Sequence, residues 1–430
     1  MIIKPEARIL LDCLNLNSGD AVASRLMQLT AAQWNEIVCI SKSHWVTPLL
    51  YHRLKSRRLD KYVPSDVAER LYDIYLRSAG RNIRKFHELS VVLDVLHNDN
   101  IPVIVLKGSH LAEIIYGNIA LRPMYDTDIM IRREDLQNVE DKLLKLGYVA
   151  HKDNLRKHEG HYHSVFVNMR GGTNVEVHWH IHRPSSLYDI DVNDLWRRAQ
   201  TVELTGRRVM VISPEDFLIY QCTHACKHLF MQAGLLELND VYETINFYNG
   251  ELDWDVFLER TMQWRALNSV YLTLRLANEL LAAEVPEYLI NMFKSDDLNC
   301  RIMDGAKEYI FNEEIDVNEM SANVAKLREL GKPGDKINLF LKVVFPSTGE
   351  MIHRYSIAPG SMKLYFYYVK RVLELVKKHS GDVWKLIWRE PEAMELAGRV
   401  NNRTALRDWI HHTNIDEEVE RLELCRDKTI

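Results

Sequence analysis

The stretch that decides the fold is residues 101–131, IPVIVLKGSHLAEIIYGNIALRPMYDTDIMI. A short β-branched run over 101–106 ends at Lys107-Gly108-Ser109, and apolar residues then recur with helical spacing over 111–115. The pattern predicts a strand, a tight turn and a helix. Because Gly108 has no side chain and a helix N-terminus presents N–H groups, such a turn can hold a nucleotide's phosphates. On general turn chemistry alone, however, a Gly-Ser pair is more often only a turn.

Two aspartates, Asp126 and Asp128, stand two residues apart at the start of the apolar run 129–131. On a strand, alternate side chains leave from the same face, so both carboxylates are expected to point the same way. Neighbouring carboxylates suit Mg²⁺, which binds a few carboxylates together with phosphate oxygens of a substrate. The alternative is a surface loop with solvated acids, and a third acid nearby would separate the two interpretations.

A third acid is found in the segment Asn174-Val175-Glu176-Val177-His178-Trp179-His180, which alternates as a strand does. The period of two predicts that Glu176, His178 and His180 share one face of this strand. A carboxylate on a neighbouring strand would complete a cluster of three acids for two metal ions.

These motifs resemble the nucleotidyltransferase fold of the DNA polymerase β superfamily, with Gly-Ser at a strand-to-helix turn, Asp-x-Asp, and an acid on a later strand. More narrowly, the chain resembles the bacterial family labelled "uncharacterised nucleotidyltransferase", over about residues 30 to 380. Four segments carry the likeness: Leu106-Lys107-Gly108, Leu121-Arg122-Pro123-Met124-x-Asp126-x-Asp128-Ile129, Val175-Glu176-Val177-His178-Trp179 and Ser213-Pro214-Glu215-Asp216. Many members have aspartate where this chain has Glu176, so its third acid is a conservative variant.

The resemblance implies a Mg²⁺-dependent transferase, with Mn²⁺ as an alternative ion. It would move a nucleoside monophosphate from a nucleoside triphosphate such as ATP to a hydroxyl-type acceptor and release pyrophosphate. Asp126 and Asp128 would hold the metal ions, and Glu176 would be either the third ligand or the base that takes the acceptor's proton. Two metal ions in such sites stabilise both the attacking and the leaving oxygen of an in-line displacement.

The same reasoning yields candidate nucleotide-binding residues in two groups. Near the turn they are Lys107, Gly108, Ser109 and Arg122, with the two cations placed to neutralise the leaving pyrophosphate. The resemblance adds helical residues after the sheet, which in this superfamily often contact the triphosphate. These candidates are His224, Lys227 and His228, with Asp240 as an orienting acid, and a solvated helix face is an equally good interpretation for each. His178, on the predicted strand, is a candidate beside the metal-bound phosphates, where it would orient an acid or the acceptor; a satisfied core histidine is an equally good interpretation.

The predicted fold class is α+β, with a small mixed β-sheet and surrounding helices. Four parts are expected: a helical region over 1–80, a nucleotidyltransferase core over 81–212, a helical domain over 213–360 that closes over the nucleotide, and a C-terminal helical region over 361–430. Amphipathic runs predict N-terminal helices near 7–16, 20–29, 31–40, 65–78 and 81–98.

Composition limits the remaining classes of function. The 430 residues are 47% hydrophobic and 27% charged with a formal net charge of -5, which is typical of a globular protein without overall attraction to nucleic acid. We therefore expect the acceptor to be a small molecule, a peptide or a protein side chain rather than RNA. Scattered cysteines and the absence of a long apolar run predict a cytoplasmic location and no membrane partner.

Two alternatives to this enzyme stay open at the level of sequence. The fold could bind nucleotides or act as a scaffold without turnover. The histidines over 151–182 also suggest an iron site made of Glu176, His178 and His180, a 2-His-1-carboxylate set. The second is geometrically poor, because alternate positions of one extended strand are too far apart to converge.

Overall fold

The structure of the protein is a computed structural model. It describes residues 3–16, 21–151, 162–169, 173–183, 186–227, 229–230, 234–291, 297–311, 351, 365–368, 370–371 and 405–410. His228 and most of the predicted C-terminal helical region over 361–430 lie outside the described residues. Within the described part, every helix falls short of the length and apolarity that crossing a bilayer requires.

The chain divides into two compact units. The first comprises Met1–Asn299, Ala306–Glu313 and Ile410–Ile430, and it contains the whole sheet. The second comprises Cys300–Gly305 and Glu314–Trp409, and its described residues are helical. The predicted four-part division stays a prediction.

Five helices precede the sheet: α1 (Pro5–Leu14), α2 (Ala21–Leu26), α3 (Ala31–Ser43), α4 (Thr47–Ser56) and α5 (Ser65–Asn98). α3 begins at a capping box in which Thr30 and Gln33 exchange hydrogen bonds. The runs predicted at 65–78 and 81–98 form one helix, α5. A glycine inside a helix costs about 1 kcal/mol, and burial of the continuous apolar stripe of α5 outweighs this cost at Gly80. α4 was not predicted, although a proline in the first turn is well tolerated there.

The sheet has seven strands in the order β3-β4-β5-β2-β1-β7-β6. Their bounds are β1 (Ile104–Val105), β2 (Thr127–Met130), β3 (Tyr148–Ala150), β4 (His163–Asn168), β5 (Asn174–His178), β6 (Gln200–Leu204) and β7 (Arg207–Val211). β2 pairs in parallel with β5 and β1 with β7, whereas the other four pairs are antiparallel. A mixed sheet with helices confirms the α+β class.

The predicted strand, turn and helix at the start of the core are observed in shorter form. β1 ends in a tight exit to α6 (Lys107–His110), which continues as a π-helical turn over Leu111–Ile115. After β2, a 3₁₀ turn at Arg133–Asp135 leads into α7 (Leu136–Lys145), and Gly147 follows with a φ of +90°. β6 and β7 form a hairpin, with positive φ at both Thr205 and Gly206 as a type I′ turn requires.

One face of the sheet carries the main apolar core. Side chains from β2, β4 and β5 pack there against the buried stripes of α5 and α7, and the buried members include Leu89, Val139, Ile129, Phe166 and Val177. The alternation predicted for β5 is therefore confirmed over 174–178, since its valines enter this core. Glu176 and His178 leave from the opposite face.

The described helices after β5 contribute no residue to this apolar core. They are α8 (Val192–Arg198), α9 (Pro214–Lys227), α10 (Gly234–Phe247), α11 (Trp254–Gln263), α12 (Leu267–Leu281), α13 (Glu287–Ile290) and α14 (Asp297–Phe311). α9, α10 and α12 pack on one another. α8 was not predicted; it begins at Asp191, whose side chain accepts a hydrogen bond from the Asn193 amide.

His110, on α6, generates a stability prediction. It is fully buried against Phe217, and neither ring nitrogen has a hydrogen-bonding partner among the described residues. Burial lowers the pKa of His110 to about 3. The folded protein thus binds fewer protons than the unfolded chain below pH 6.5, so stability present above pH 6.5 is lost as the pH falls toward 3.

Between pH 7 and pH 5, protonation linked to His110 should lower the free energy of unfolding of the wild type by about 2 kcal/mol. His110→Leu should lack this part of the loss. Urea unfolding followed by circular dichroism at both pH values measures this difference. The control is His87→Leu, which replaces an exposed histidine of α5. An unchanged loss in His110→Leu would contradict the assignment of a buried neutral histidine.

Candidate active site

Three carboxylates meet on the polar face of the sheet. Asp128 on β2 lies directly opposite Glu176 on β5 in the parallel register, and Asp126 comes just before β2. All three line one cavity of about 910 Å³. Burial, and then the charges of Asp128 and Glu176, raise the pKa of Asp126 to about 7. The cluster therefore strongly disfavours a third negative charge in the absence of a cation.

Two cationic groups hold Asp128. His178 Nε2 lies 2.8 Å from Asp128 Oδ1, and Lys107 Nζ lies 3.5 Å from the same oxygen. Burial alone would raise the pKa of the Asp128 carboxyl, but Lys107 and His178 outweigh it and hold that pKa well below its usual range. With Lys107 and His178 in place, Asp128 is thus ionised at neutral pH.

His178 also supports Glu176. Its Nε2 lies 3.4 Å from Glu176 Oε2, and the imidazole of His163 is stacked on it with ring centroids 5.1 Å apart. Burial would lower the pKa of His178, yet hydrogen bonds to Asp128 and Glu176 raise it. Burial would raise the pKa of Glu176, but the His178 hydrogen bond brings it below its ordinary value. His178 is buried and orients two acids, rather than lining the cavity itself.

The residues present fit a hard divalent cation. Ligand atoms of Asp128, Glu176 and His178 lie within 4.8 Å of one another. Asp126 is not part of this group, but it lines the same cavity, and its raised pKa reports crowding of negative charge that a cation would relieve. Carboxylate oxygens are the donors that Mg²⁺ and Mn²⁺ prefer.

The turn after β1 packs closely against the loop before β2. Lys107 has a φ of +36°, a left-handed conformation that is uncommon for a side-chain-bearing residue. A Cβ at Gly108 would lie 3.0 Å from Arg122 Nη1 and 3.1 Å from Met124 Sδ, so glycine is needed to let that loop approach. Lys107 and Gly108 line the cavity. Ser109 is buried, with its hydroxyl 3.9 Å from Met124 Sδ.

Arg122 lines the same cavity and is fixed by a buried acid. It donates to Asp240 from Nε at 3.0 Å and from Nη2 at 2.8 Å, while the Tyr116 hydroxyl donates to Asp240 at 2.9 Å. Burial raises the pKa of Asp240, and Arg122 counteracts this shift. The predicted orienting acid and the predicted phosphate-binding cation are thus a pair.

The wall contributed by α9 and α10 contains further predicted residues. His224 and Lys227 both line the cavity, whereas His228 lies outside the described residues. Lys227 Nζ donates to the Tyr162 hydroxyl at 3.0 Å, and His224 Nδ1 lies 3.4 Å from Glu237 Oε1. Burial and the nearby Asp240 charge raise the pKa of Glu237 to about 8.

Sequence reasoning missed Glu237, because an acid in the first turn of a helix commonly serves only the helix dipole. It also missed two residues of α5, Asn82 and Lys85. The Asn82 amide donates to the carbonyl oxygens of Ile119 and Arg122, and Lys85 Nζ donates to that of Tyr125. Their signal was available: both are polar residues within the buried stripe of α5.

The alternative iron set is not assembled as expected. His180 lies beyond the end of β5, and its Nδ1 accepts a hydrogen bond from the backbone N–H of His182 at 3.0 Å. Among the described residues, the group able to hold a metal contains Asp128 with Glu176 and His178 in place of His180.

Comparisons with known proteins can now be set beside this geometry. No curated protein matches the chain. The solution structure of the antibiotic-resistance factor ANT(2'')-Ia is similar with 12% sequence identity and a TM-score of 0.32, covering 42% of this chain and 91% of that one. The crystal structure of an antigenic nucleotidyltransferase-like protein from Paracoccidioides brasiliensis is similar with 17% identity and a TM-score of 0.28, covering 47% and 94%.

A family model described as uncharacterised nucleotidyltransferase matches residues 30–282. The matched segment includes all seven strands, the three carboxylates and the helices that form the cavity wall. The match extends over more than half of the 430 residues and supports nucleotidyl transfer as the class of chemistry. The resemblance stated from the motifs is confirmed: the chain belongs to the uncharacterised nucleotidyltransferase family.

Proposed function

We propose that the protein is a Mg²⁺-dependent enzyme that transfers a nucleoside monophosphate from a nucleoside triphosphate to an acceptor hydroxyl and releases pyrophosphate. The observation that carries this proposal is the convergence of Asp126, Asp128 and Glu176 on one cavity that the Lys107-Gly108 turn also lines. When bound there, divalent ions supply charge stabilisation for the displacement at the α-phosphate.

The shifted pKa values of the acids indicate which role each one has. Asp128 and Glu176 both have pKa values below their ordinary ranges, so they are ionised and suited to hold a cation. An efficient general base has a pKa near the operating pH, which makes Glu176 a weak base. We therefore assign Glu176 as the third ligand, and His178 as the group that keeps it and Asp128 in position.

Lys107 and Arg122 act on the phosphates in this proposal. Both side chains line the cavity, and each is fixed by an acid, Asp128 for Lys107 and Asp240 for Arg122. Because preorganised cations need no rearrangement during reaction, they are suited to stabilise charge on the leaving pyrophosphate. Gly108 permits the close approach of backbone to phosphate, and His224 and Lys227 on α9 are further candidate contacts.

The acceptor is proposed to be a small molecule or a peptide or protein side chain. A cavity of about 910 Å³ falls in the range of small-ligand sites, and the net charge of -5 provides no general attraction to RNA. We also propose a cytoplasmic location, which the free thiols of Cys13, Cys39, Cys222 and Cys226 support.

The first test is isothermal titration with each of the four ribonucleoside triphosphates, with and without Mg²⁺. We expect binding to require Mg²⁺, and Asp126→Asn and Asp128→Asn to weaken it by about a hundredfold or more, because even outer-shell partners of a metal are worth about 10- to 100-fold. Asp141→Asn, at an exposed position of α7, is the matched control and should bind as the wild type does.

Thermal unfolding of each variant checks that the fold is retained. Full Mg²⁺-dependent binding by Asp126→Asn and Asp128→Asn would exclude these acids as ligands. If the wild type binds a triphosphate with Mg²⁺ but releases no pyrophosphate with any acceptor tested, the catalytically silent nucleotide-binding module is favoured instead.

The pKa of Asp126 generates a second prediction. In the metal-free protein this carboxyl has a pKa of about 7, so below pH 7 a cation must displace its proton. The affinity for Mg²⁺ should therefore fall as the pH is lowered, by about fivefold between pH 7 and pH 6, and change little above pH 8. Titrations in buffers with different heats of ionisation should show release of a proton. Equal Mg²⁺ affinity at pH 6 and pH 8 would contradict the prediction.

A further inference from the structure

Two aromatic side chains stand beside the acid cluster without a role so far. Tyr125 directly precedes Asp126, and it is 69% exposed, which is unusual for a large ring at a cavity. Trp45 packs on it, with ring centroids 3.8 Å apart and an angle of 43° between the rings. Both residues line the cavity that contains the carboxylates.

Trp45 is held in place by an uncommon backbone conformation. It lies in the turn between α3 and α4 with a φ of +61°, in the left-handed region that a bulky residue rarely adopts. Its backbone N–H donates to the Lys42 carbonyl at 3.1 Å, and the next residue, Val46, is fully buried. The positive φ belongs to the C-terminal cap of α3, in which the Val46 N–H donates to the Ser41 carbonyl at 2.9 Å. The cap fixes the backbone that carries the indole.

Hydrogen bonds from α5 fix the backbone of Tyr125. Lys85 on α5 donates to the Tyr125 carbonyl oxygen, and one turn earlier Asn82 donates to the carbonyl of Arg122 at 2.8 Å. These bonds anchor the loop before β2 to a long helix. The exposed ring of Tyr125 therefore sits on a rigid backbone, and little freedom is lost when a ligand covers it.

We propose that Trp45 and Tyr125 form an aromatic platform on which the base of the nucleoside triphosphate stacks. This inference rests on the proposed function and extends it to nucleotide recognition. Every nucleobase has a π face, and stacking on aromatic side chains is favourable for all four bases. The platform thus binds ribonucleoside triphosphates in general and favours purines, whose ring area is larger.

The position of the platform argues for the base rather than for the phosphates. The cationic residues Lys107 and Arg122 line the cavity and suit the triphosphate chain. Tyr125 is instead next to Asp126, one of the acids at which the α-phosphate would react, and the base is separated from that phosphate only by the ribose. The exposed faces of two uncharged aromatic rings complement a base rather than a phosphate.

The experiment compares two ligands on the wild type and three variants. Isothermal titration in Mg²⁺ is carried out with ATP and with inorganic tripolyphosphate, which has the phosphates but no base. For Tyr125→Ala, we expect ATP to bind about tenfold or more weakly, equivalent to about 1.4 kcal/mol, with tripolyphosphate unchanged. Tyr125→Phe keeps the ring and should bind ATP as the wild type does. Tyr72→Ala, at an exposed tyrosine of α5, is the control for removal of a surface ring.

A second readout uses the indole itself. Addition of ATP should quench tryptophan fluorescence of the wild type, and the part of the quenching that is lost in Trp45→Phe reports stacking at this site. Quenching that is equal in the wild type and Trp45→Phe would count against the platform.

The possible failures are distinguishable. If the wild type binds ATP and tripolyphosphate and Tyr125→Ala binds both equally well, the platform is wrong while the proposed function stands. Equal weakening of both ligands would show that Tyr125 only positions Asp126, which also overturns the platform. If the wild type binds neither ligand in Mg²⁺, the proposed function fails as well.

Discussion

The constraint on which the site depends is the parallel register between β2 and β5. It places Asp128 directly beside Glu176, and the chain entering β2 brings Asp126 to the same face. The neighbouring carboxylates repel one another, and this repulsion contributes to the raised pKa of Asp126. Lys107 and His178 offset part of this cost at Asp128. The remaining excess of negative charge favours a bound cation, which supports the proposed function.

The N-terminal helices are part of this arrangement rather than an addition to it. α5 covers the apolar face of the sheet with Leu89 and its neighbours, and from the same buried stripe Asn82 and Lys85 reach the carbonyl oxygens of the loop before β2. Burial of a lysine lowers its pKa and is unfavourable unless its donors are satisfied. The family match begins at residue 30, so it includes both α5 and Trp45.

Buried ion pairs hold α10, the helix that contributes Glu237 and Asp240 to the cavity wall. Arg122 is bound in a bidentate manner by Asp240, and Arg53 on α4 pairs with Glu243 one turn further along α10. Buried ion pairs contribute little net stability, but removal of one partner is strongly unfavourable. They therefore define the positions of the side chains around the cavity more than they strengthen the fold. Glu237 differs, because its Oε2 has no hydrogen-bonding partner among the described residues.

The sequence by itself determined the secondary structure around the site and the identity of its acids. Asp-x-Asp before an apolar run, Glu176 in an alternating strand, and glycine at a strand-to-helix turn are local patterns, and local patterns follow from backbone geometry and side-chain period. Only the tertiary structure decided the rest. The pairing of Asp128 with Glu176, the contact of Arg122 with Asp240 and the packing of Trp45 on Tyr125 join residues far apart in the chain. Such contacts depend on strand order and helix packing, which no single segment of the sequence encodes.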